Sequence, residues 1–388
     1  MTFWLNSKNV LEYLIAKGLC RRSEAALVEI EAKNAKNFNL LLSFPDSHQL
    51  LVKQEPYRQN QKTTGVFIRE WHIQSLLRQF PELCYLSSWL PEVLYFDPDN
   101  SIMVMKYLDD YQDLSRFYDQ ENLFPTKIPT AIGTILGKIH CQTLDNQDYQ
   151  ELFGVKSDGS HRIFKSVRRC EQVTPEVFAQ VSAEGLKFYA LYQRYDSLRN
   201  AIAELAANYE ACCLTHNDLK LNNILLPNNW QEESDDGILN IRLIDWEFSD
   251  WGDPALDLGS LIASYLRIWL DSLVIDQSIP IETALRLAET PLELLQPSLM
   301  SLASAYRQNF PQILERRPDF WQRVLQFSGL SLIRAIRSTL HYHKIFGNSG
   351  ICMLQVAKTL LCNPEKSLPM VFGNNQLLIP VFKSDALT

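Results

Sequence analysis

The sequence predicts an α+β fold of two lobes, a small antiparallel-sheet lobe followed by a larger helical one. Three observations carry this expectation. Between residues 39 and 107 the apolar residues fall in short strand-like runs, with one helical stretch among them. From about Asp109 onward apolar positions recur at three and four residues, the helical period. Strand patterns return only around residues 214–245, after which helices resume. The change of texture near Leu108 places the N-terminal lobe over residues 1–108 and the C-terminal lobe over 109–388.

Taken in order, residues 9–17 read as a short amphipathic helix that Gly18 ends. L-L-L-S-F and L-L-V-K-Q, between Asn39 and Gln54, flank the polar run P-D-S-H and read as a hairpin. A helix is expected from Val66 to Phe80, then a Pro-rich connection, then an apolar strand over Ser101–Tyr107. Ile132, Ile135, Leu136 and Ile139 form a buried helical stripe, beside which Gly133 and Gly137 permit close packing. N-N-I-L-L and I-L-N-I-R-L-I-D are two strands joined by an acidic turn, Glu232 to Gly237. Helices are expected from Pro254 to about Ile345.

Composition narrows the class. A 388-residue chain with 46% hydrophobic and 21% charged residues can bury an ordinary globular core. A net charge of −8 argues against non-specific binding to nucleic acid or an anionic membrane. The eight cysteines form no C-x-x-C pair and no zinc-ligand spacing, so reduced thiols in the cytoplasm are the expectation. The N-terminus does not read as a secretory signal, and the greasiest stretch, Ala255–Leu270, carries Asp257 and Arg267 and is too short to span a bilayer.

The chemistry concentrates in L-T-H-N-D-L-K-L-N-N-I-L-L and L-I-D-W-E-F-S-D-W-G-D-P-A-L-D-L-G-S-L. Asp218, Asn223 and Asp245 are oxygen donors at the ends of apolar strand segments, where a sheet can aim them at one place. Magnesium is hard and takes one or two carboxylates plus phosphate oxygens, a demand that Asn223 and Asp245 fit. Asp218, five residues before Asn223, suits a group that orients an attacking hydroxyl and accepts its proton.

These segments resemble the catalytic and metal-binding loops of the aminoglycoside phosphotransferase and choline kinase superfamily, a branch of the protein-kinase-like fold. The pattern H-x-D-x-x-x-x-N, then I-D-W/F-E, then G-D-P-x-x-D-L is met by His216, Asp218, Asn223, Asp245, Glu247, Gly252, Asp253, Pro254, Asp257 and Leu258. The resemblance implies an ATP- and Mg2+-dependent transfer of a phosphoryl group to a hydroxyl of a small molecule. It makes Asp218 the catalytic base and Asn223 and Asp245 the metal ligands, with His216, Glu247 and Asp257 as structural support. It also implies a strand lysine braced by a helix glutamate. Lys53, in phase with Leu51, and Glu70, on the face of Ile73 and Leu77, answer to these. Lys106 and Leu108 stand where the backbone of the interlobe hinge binds adenine. The phosphate-covering loop falls between Glu31 and Phe38 and contains no glycine, so Asn34, Lys36 or Asn37 would do the contacting. Asn217 replaces the commoner glycine of H-G-D, as in choline and ethanolamine kinases.

Some residues read two ways. His140 is first a satisfied core histidine, and Cys212 and Cys213 are first buried, inert thiols. Trp246 and Trp251 read as core packing or as aromatic walls for a cationic substrate. Arg334, Arg337 and His341 share one helix face, either solvated or lining a substrate cleft that favours an anion. A non-catalytic nucleotide-binding regulator is the alternative function. A protein kinase is disfavoured, because only twelve positions separate Asp245 from Asp257 and no D-F-G or A-P-E occurs.

Overall fold

The computed structural model describes residues 3–33, 37–57, 63–153, 159–232, 238–274, 279, 283–284 and 287–373. The chain divides into two compact units. The first contains residues 1–114, 223–234 and 240–249, and the second contains 115–222, 235–239 and 250–388.

The first unit is built on a five-stranded antiparallel sheet: β1 Glu29–Lys33, β2 Phe38–Ser43, β3 Gln49–Gln54, β4 Val93–Asp97 and β5 Ile102–Lys106, in the order β1-β2-β3-β5-β4. The period-2 alternation of β3 sorts its side chains between the two faces. Leu50 and Val52 join Leu40, Leu42, Ile102 and Val104 under helix α1, Val10–Ala16, whose Val10 and Leu14 complete that core. Leu51 turns to the opposite face, with Met103, Met105 and the first turn of helix α2, Phe67–Gln79. Lys53 follows Leu51 in phase and pairs with Met103 across the ladder. Gly18 ends α1 region at φ +73, a conformation open to glycine without strain.

Two strands of this sheet go beyond the sequence reading. β1 lies outside the hairpin read from residues 39–54, and β4 lies in what reads as a Pro-rich connection. Both are edge strands. E-I-E-A-K keeps its charges in solvent, so its burial pattern offers no apolar alternation to detect. Three short strands complete the regular β-structure of this unit: β6 Tyr111–Asp113 and, from later in the chain, β8 Ile224–Pro227 and β9 Arg242–Leu243, in the order β6-β8-β9. A separate two-stranded piece, β7 Cys213–Thr215 with β10 Asp250–Gly252, belongs to the second unit.

That unit is otherwise helical. Its elements are α3 Leu114–Glu121, α4 Lys127–Thr143, α5 Gln147–Leu152, α6 Gly159–Arg168, α7 Pro175–Gln180, α8 Ala183–Gln193 and α9 Asp196–Ala207, then α10 Pro254–Asp271, α11 Leu292–Asn309, α12 Gln312–Arg316 and α13 Phe320–His343. Two further helices, α14 Gly347–Cys362 and α15 Pro364–Phe372, extend the helical region past Ile345. Helix α4 lies directly on α11. A Cβ at Gly133 would come within 2.3 Å of the Leu302 carbonyl oxygen, and one at Gly137 within 2.8 Å of Asn309 Cβ. Both glycines are therefore needed for the approach. Among the described residues no helix is long and apolar enough to cross a membrane.

One buried carboxylate fixes α2 to the sheet. Helix α2 has no side-chain cap of its own. Glu55, just past β3 and fully buried, takes that place: Oε1 accepts from the Phe67 N–H at 2.9 Å and from Ser101 Oγ at 2.9 Å. Oε2 accepts from the Gly65 N–H at 2.8 Å and Thr64 Oγ1 at 2.5 Å. A carboxylate at a helix start also meets the positive end of the backbone dipoles. Removing it strands the buried Phe67 N–H and leaves the Ser101 hydroxyl without its acceptor. Glu55→Ala is expected to lower the unfolding free energy by roughly 3 kcal/mol, read from the urea midpoint.

Candidate active site

In the first unit the local geometry is set by the β8–β9 ladder. Ile224 pairs with Leu243, and the Ile244 N–H donates to the Asn223 carbonyl at 2.9 Å. This register puts Asn223 beside Ile244, one residue from Asp245. Asp245 has φ +67, a left-handed conformation that aspartate tolerates better than most residues. The chain turns there from strand into the short helical turn Trp246–Phe248.

Lys53 reaches Asp245 from β3, Nζ to Oδ1 at 3.5 Å. Glu70, on α2, is 1% exposed, and neither of its carboxylate oxygens has a hydrogen-bond partner. Burial pushes its pKa from the ordinary 4.5 up to about 7; the Lys53 ammonium opposes this, and the charges of Asp245 and Glu247 add to it. Burial by itself would lower the Lys53 pKa, but the carboxylates of Glu70, Asp245 and Glu247 outweigh it and hold the ammonium above its usual range. The ion pair expected between Lys53 and Glu70 is thus formed with Asp245 instead. Asp245 keeps about a third of its side chain exposed, whereas Glu70 is fully desolvated, and burying an ionised carboxylate is costly. Glu247 is buried nearby and accepts from Asn37 Nδ2 at 3.1 Å. Asn34 and Lys36 lie outside the described residues. Lys106 ends β5 with its side chain exposed and its N–H given to the Glu92 carbonyl at 3.0 Å, and Leu108 is half-buried beyond it.

In the second unit the loop bearing Asp218 is organised by Asp257. This carboxylate is fully buried on α10, and it accepts the His216 N–H at 2.7 Å and the Asn217 N–H at 2.8 Å. His140 Nε2 lies 3.3 Å from the same carboxylate, and His140 Nδ1 lies 2.9 Å from the Tyr306 hydroxyl. Burial acts to raise the Asp257 pKa, but His140 and His216 outweigh it and hold the group below the usual carboxylate range. Asn217 sits at φ +63, which explains why glycine or asparagine suits that place in the motif. His216 Nδ1 accepts the Asp218 N–H at 3.3 Å. The Asp218 carboxylate itself stands between two cations, Lys220 Nζ at 2.9 Å from Oδ2 and Arg334 Nη2 at 3.6 Å from Oδ1.

The G-D-P-x-x-D-L run has an equally local explanation. A Cβ at Gly252 would collide with Thr215 Oγ1 at 2.2 Å. Asp253 caps α10 through the Ala255 N–H at 3.0 Å and pairs with buried Arg323 at 2.5 Å, and Pro254 takes the first helical position. Trp246 and Trp251, read two ways above, are buried at 1% and 6% exposure. The indole N–H of Trp246 is spent on the Leu243 carbonyl, and Trp251 packs on Phe153. Neither offers an open face to a cation. Cys212 and Cys213 are buried, and burial pushes the Cys213 thiol well up. Arg337 donates to the Ser166 carbonyl, away from Asp218.

Three residues of these networks and one contact were not singled out by sequence reasoning. Lys220 carried a signal, a cation two residues after Asp218. Glu55, Arg323 and the contact of His140 with Asp257 carried none, because their partners are remote in sequence.

Against this geometry the comparisons are specific. Residues 112–279 match the model of the phosphotransferase enzyme family. The fold is similar to that of the ethanolamine kinase of Plasmodium vivax, at 15% identity, with 95% of this chain and 91% of that one covered and a TM-score of 0.53. It is also similar to a choline/ethanolamine kinase family protein of Mesorhizobium loti, at 17% identity, 93% and 98% coverage and a TM-score of 0.50. No curated protein sequence matches the chain. The matched segment is thus similar to the phosphotransferase enzyme family that the motifs resemble, and the fold is the two-part kinase-like one.

The protonation of Glu70 gives a test of this electrostatics. A carboxyl whose native pKa exceeds its unfolded one keeps its proton after the unfolded chain has lost it. Its contribution to stability is therefore present below about 4.5 and is lost as pH rises to about 7. Glu70→Gln removes that loss. The stability of the variant relative to wild type is expected to rise across this window, by an order of 3 kcal/mol in all, measured by urea unfolding at a series of pH values.

Proposed function

We propose that this chain transfers the γ-phosphoryl group of ATP, with Mg2+, to a hydroxyl of a small molecule, and that Asp218 is the base. The observation that carries the assignment is the contact of Lys53 with Asp245, which joins two motifs remote in sequence at one place, beside Asn223. That place fits a divalent cation. Its donors are hard oxygens, Asp245 is accessible, and a cationic ammonium already stands at its carboxylate. Among the described residues no group of three His, Cys, Asp or Glu forms a metal cage, in keeping with an ion that takes its remaining ligands from phosphate and water.

In this reading Asn223 and Asp245 hold the magnesium. When bound, the ion neutralises charge on the phosphate oxygens. Lys53 exchanges Asp245 for the inner phosphates, and Glu70, close enough to feel its charge, keeps the ammonium from following solvent. Asn37 contributes from the loop before β2, and the backbone at Lys106 and Leu108 receives the adenine. Asp218 accepts the proton of the acceptor hydroxyl as its oxygen forms the bond to the γ-phosphorus and the bond to the bridging oxygen of ADP breaks. Lys220 and Arg334 orient the Asp218 carboxylate for this. His216, Asp257 and Glu247 support the loops and do not touch the reacting atoms. The eight free thiols favour a reducing compartment, the cytoplasm.

Asp218→Asn is expected to lose about 10²–10⁴-fold in turnover while ATP with Mg2+ still raises the melting temperature. Asp245→Ala is expected to abolish that magnesium-dependent rise. At a hundredfold excess over Kd a nucleotide adds about 2.7 kcal/mol to stability, well within reach of thermal-shift measurement. Unchanged turnover in Asp218→Asn refutes the assignment of the base.

A further inference from the structure

The second unit contains a cavity of about 510 Å3 whose charge has one sign. It opens between the start of α8 and the end of α13, and Arg169, Arg337, His341 and Lys344 line it together with Phe188 and Tyr189. Among the described residues no aspartate or glutamate lines it. The acid at the start of α8, Glu184, is engaged elsewhere, by Lys187 at 2.5 Å and by the Gly347 N–H at 3.2 Å. In a chain of net charge −8, a cavity whose charged lining among the described residues is basic is a local exception that the overall composition does not produce.

One helix carries residues of both the cavity and the surroundings of Asp218. Arg334 and Arg337 are successive turns of the same face of α13, and Arg334 is the residue that contacts Asp218. His341 follows one turn further. At 1.5 Å per residue, Arg337 and His341 lie about 5–10 Å along the axis from Arg334. Arg337 is held at the wall by its bond to the Ser166 carbonyl, which uses one of five N–H donors and fixes the plane of the guanidinium. A positioned guanidinium recognises carboxylate or phosphate in two-pronged fashion.

The geometry points to an acceptor that carries an anionic group, a carboxylate or a phosphate ester, about 5–10 Å from the hydroxyl that Asp218 deprotonates. Arg337 anchors that group, with Arg169, His341 and Lys344 around it, and Tyr189 and Phe188 form the apolar wall. The inference rests on the proposed kinase reading and adds the substrate class to it. A second cavity, of about 470 Å3, includes Lys220 but presents both signs, Asp119, Asp271 and Glu289 with Arg267, and Arg267 is already paired with Asp271 at 3.4 Å. It is the place where a cationic acceptor would have to sit.

The test compares matched acceptors: glycerol with glycerol 3-phosphate, ribose with ribose 5-phosphate, and the cations choline and ethanolamine, each scored by ADP release. Phosphorylated members are expected to be preferred. Arg337→Ala is expected to raise their KM about ten- to hundredfold and to leave the KM of ATP unchanged. Lys344→Ala, at an exposed position that the fold does not need, should act in the same direction more weakly. A second readout needs no turnover. With the nucleotide site saturated by a non-hydrolysable ATP analogue and Mg2+, inorganic phosphate should raise the melting temperature of wild type and not of Arg337→Ala. Preference for neutral or cationic acceptors, or an equal phosphate response in the two proteins (including none in either), overturns the proposal. If ATP with Mg2+ itself fails to stabilise wild type, the kinase reading fails, and the two failures are told apart.

Discussion

A carboxylate with no access to water must be answered by donors, and Asp257 is the group on which the reactive loop depends. Its two oxygens take the backbone N–H groups of His216 and Asn217 and stand beside His140, so the loop cannot shift without leaving a buried charge unpaired. The backbone conformation at Asn217, the hydrogen bond from the Asp218 N–H to His216 and the direction of the Asp218 side chain all follow from that anchor. Asp257 in turn rides on α10, whose start is fixed by Asp253 as cap and as partner of Arg323. A single helix thereby supplies both the anchor and its own fixed position.

The first unit solves a related problem differently. Lys53, Glu70, Asp245 and Glu247 crowd three carboxylates around one ammonium. Such a cluster carries excess negative charge unless one member is neutral or another cation arrives. The raised pKa of Glu70 is one resolution, and a cation at Asp245, as proposed, would be another. This is the kind of strained electrostatic arrangement that perturbs pKa values at functional sites. Glu55 lets the cluster exist, since it ties α2, which carries Glu70, to the strands that carry Lys53 and Met103.

Legibility in the sequence followed contact distance. The hairpin of β2 and β3, helices α1, α2 and α4 and the burial of Glu70 could be read because they rest on periodicity within a dozen residues. The motif around Asp218 and Asp245 could be read because its members are spaced by short loops. Edge strand β1 could not, because it keeps its charged residues in solvent, and edge strand β4 could not, because its short apolar run follows the Pro-rich connection without a clear period-2 alternation. The choice of Lys53 for Asp245 over Glu70 was also hidden, for it depends on how far each carboxylate is desolvated.

The sequence by itself determined the class of protein, the order of strands and helices near the motifs, and the identity of the oxygen donors, because hydrophobic period and residue type act locally. Tertiary structure decided which segments share a unit: residues 223–234 and 240–249 return to the N-terminal unit although the mostly helical segment 115–222 intervenes. It also decided which indoles are spent as core and which basic side chains gather at one cavity. Those outcomes depend on desolvation and on charges brought together by packing, and neither quantity is defined until the chain is folded.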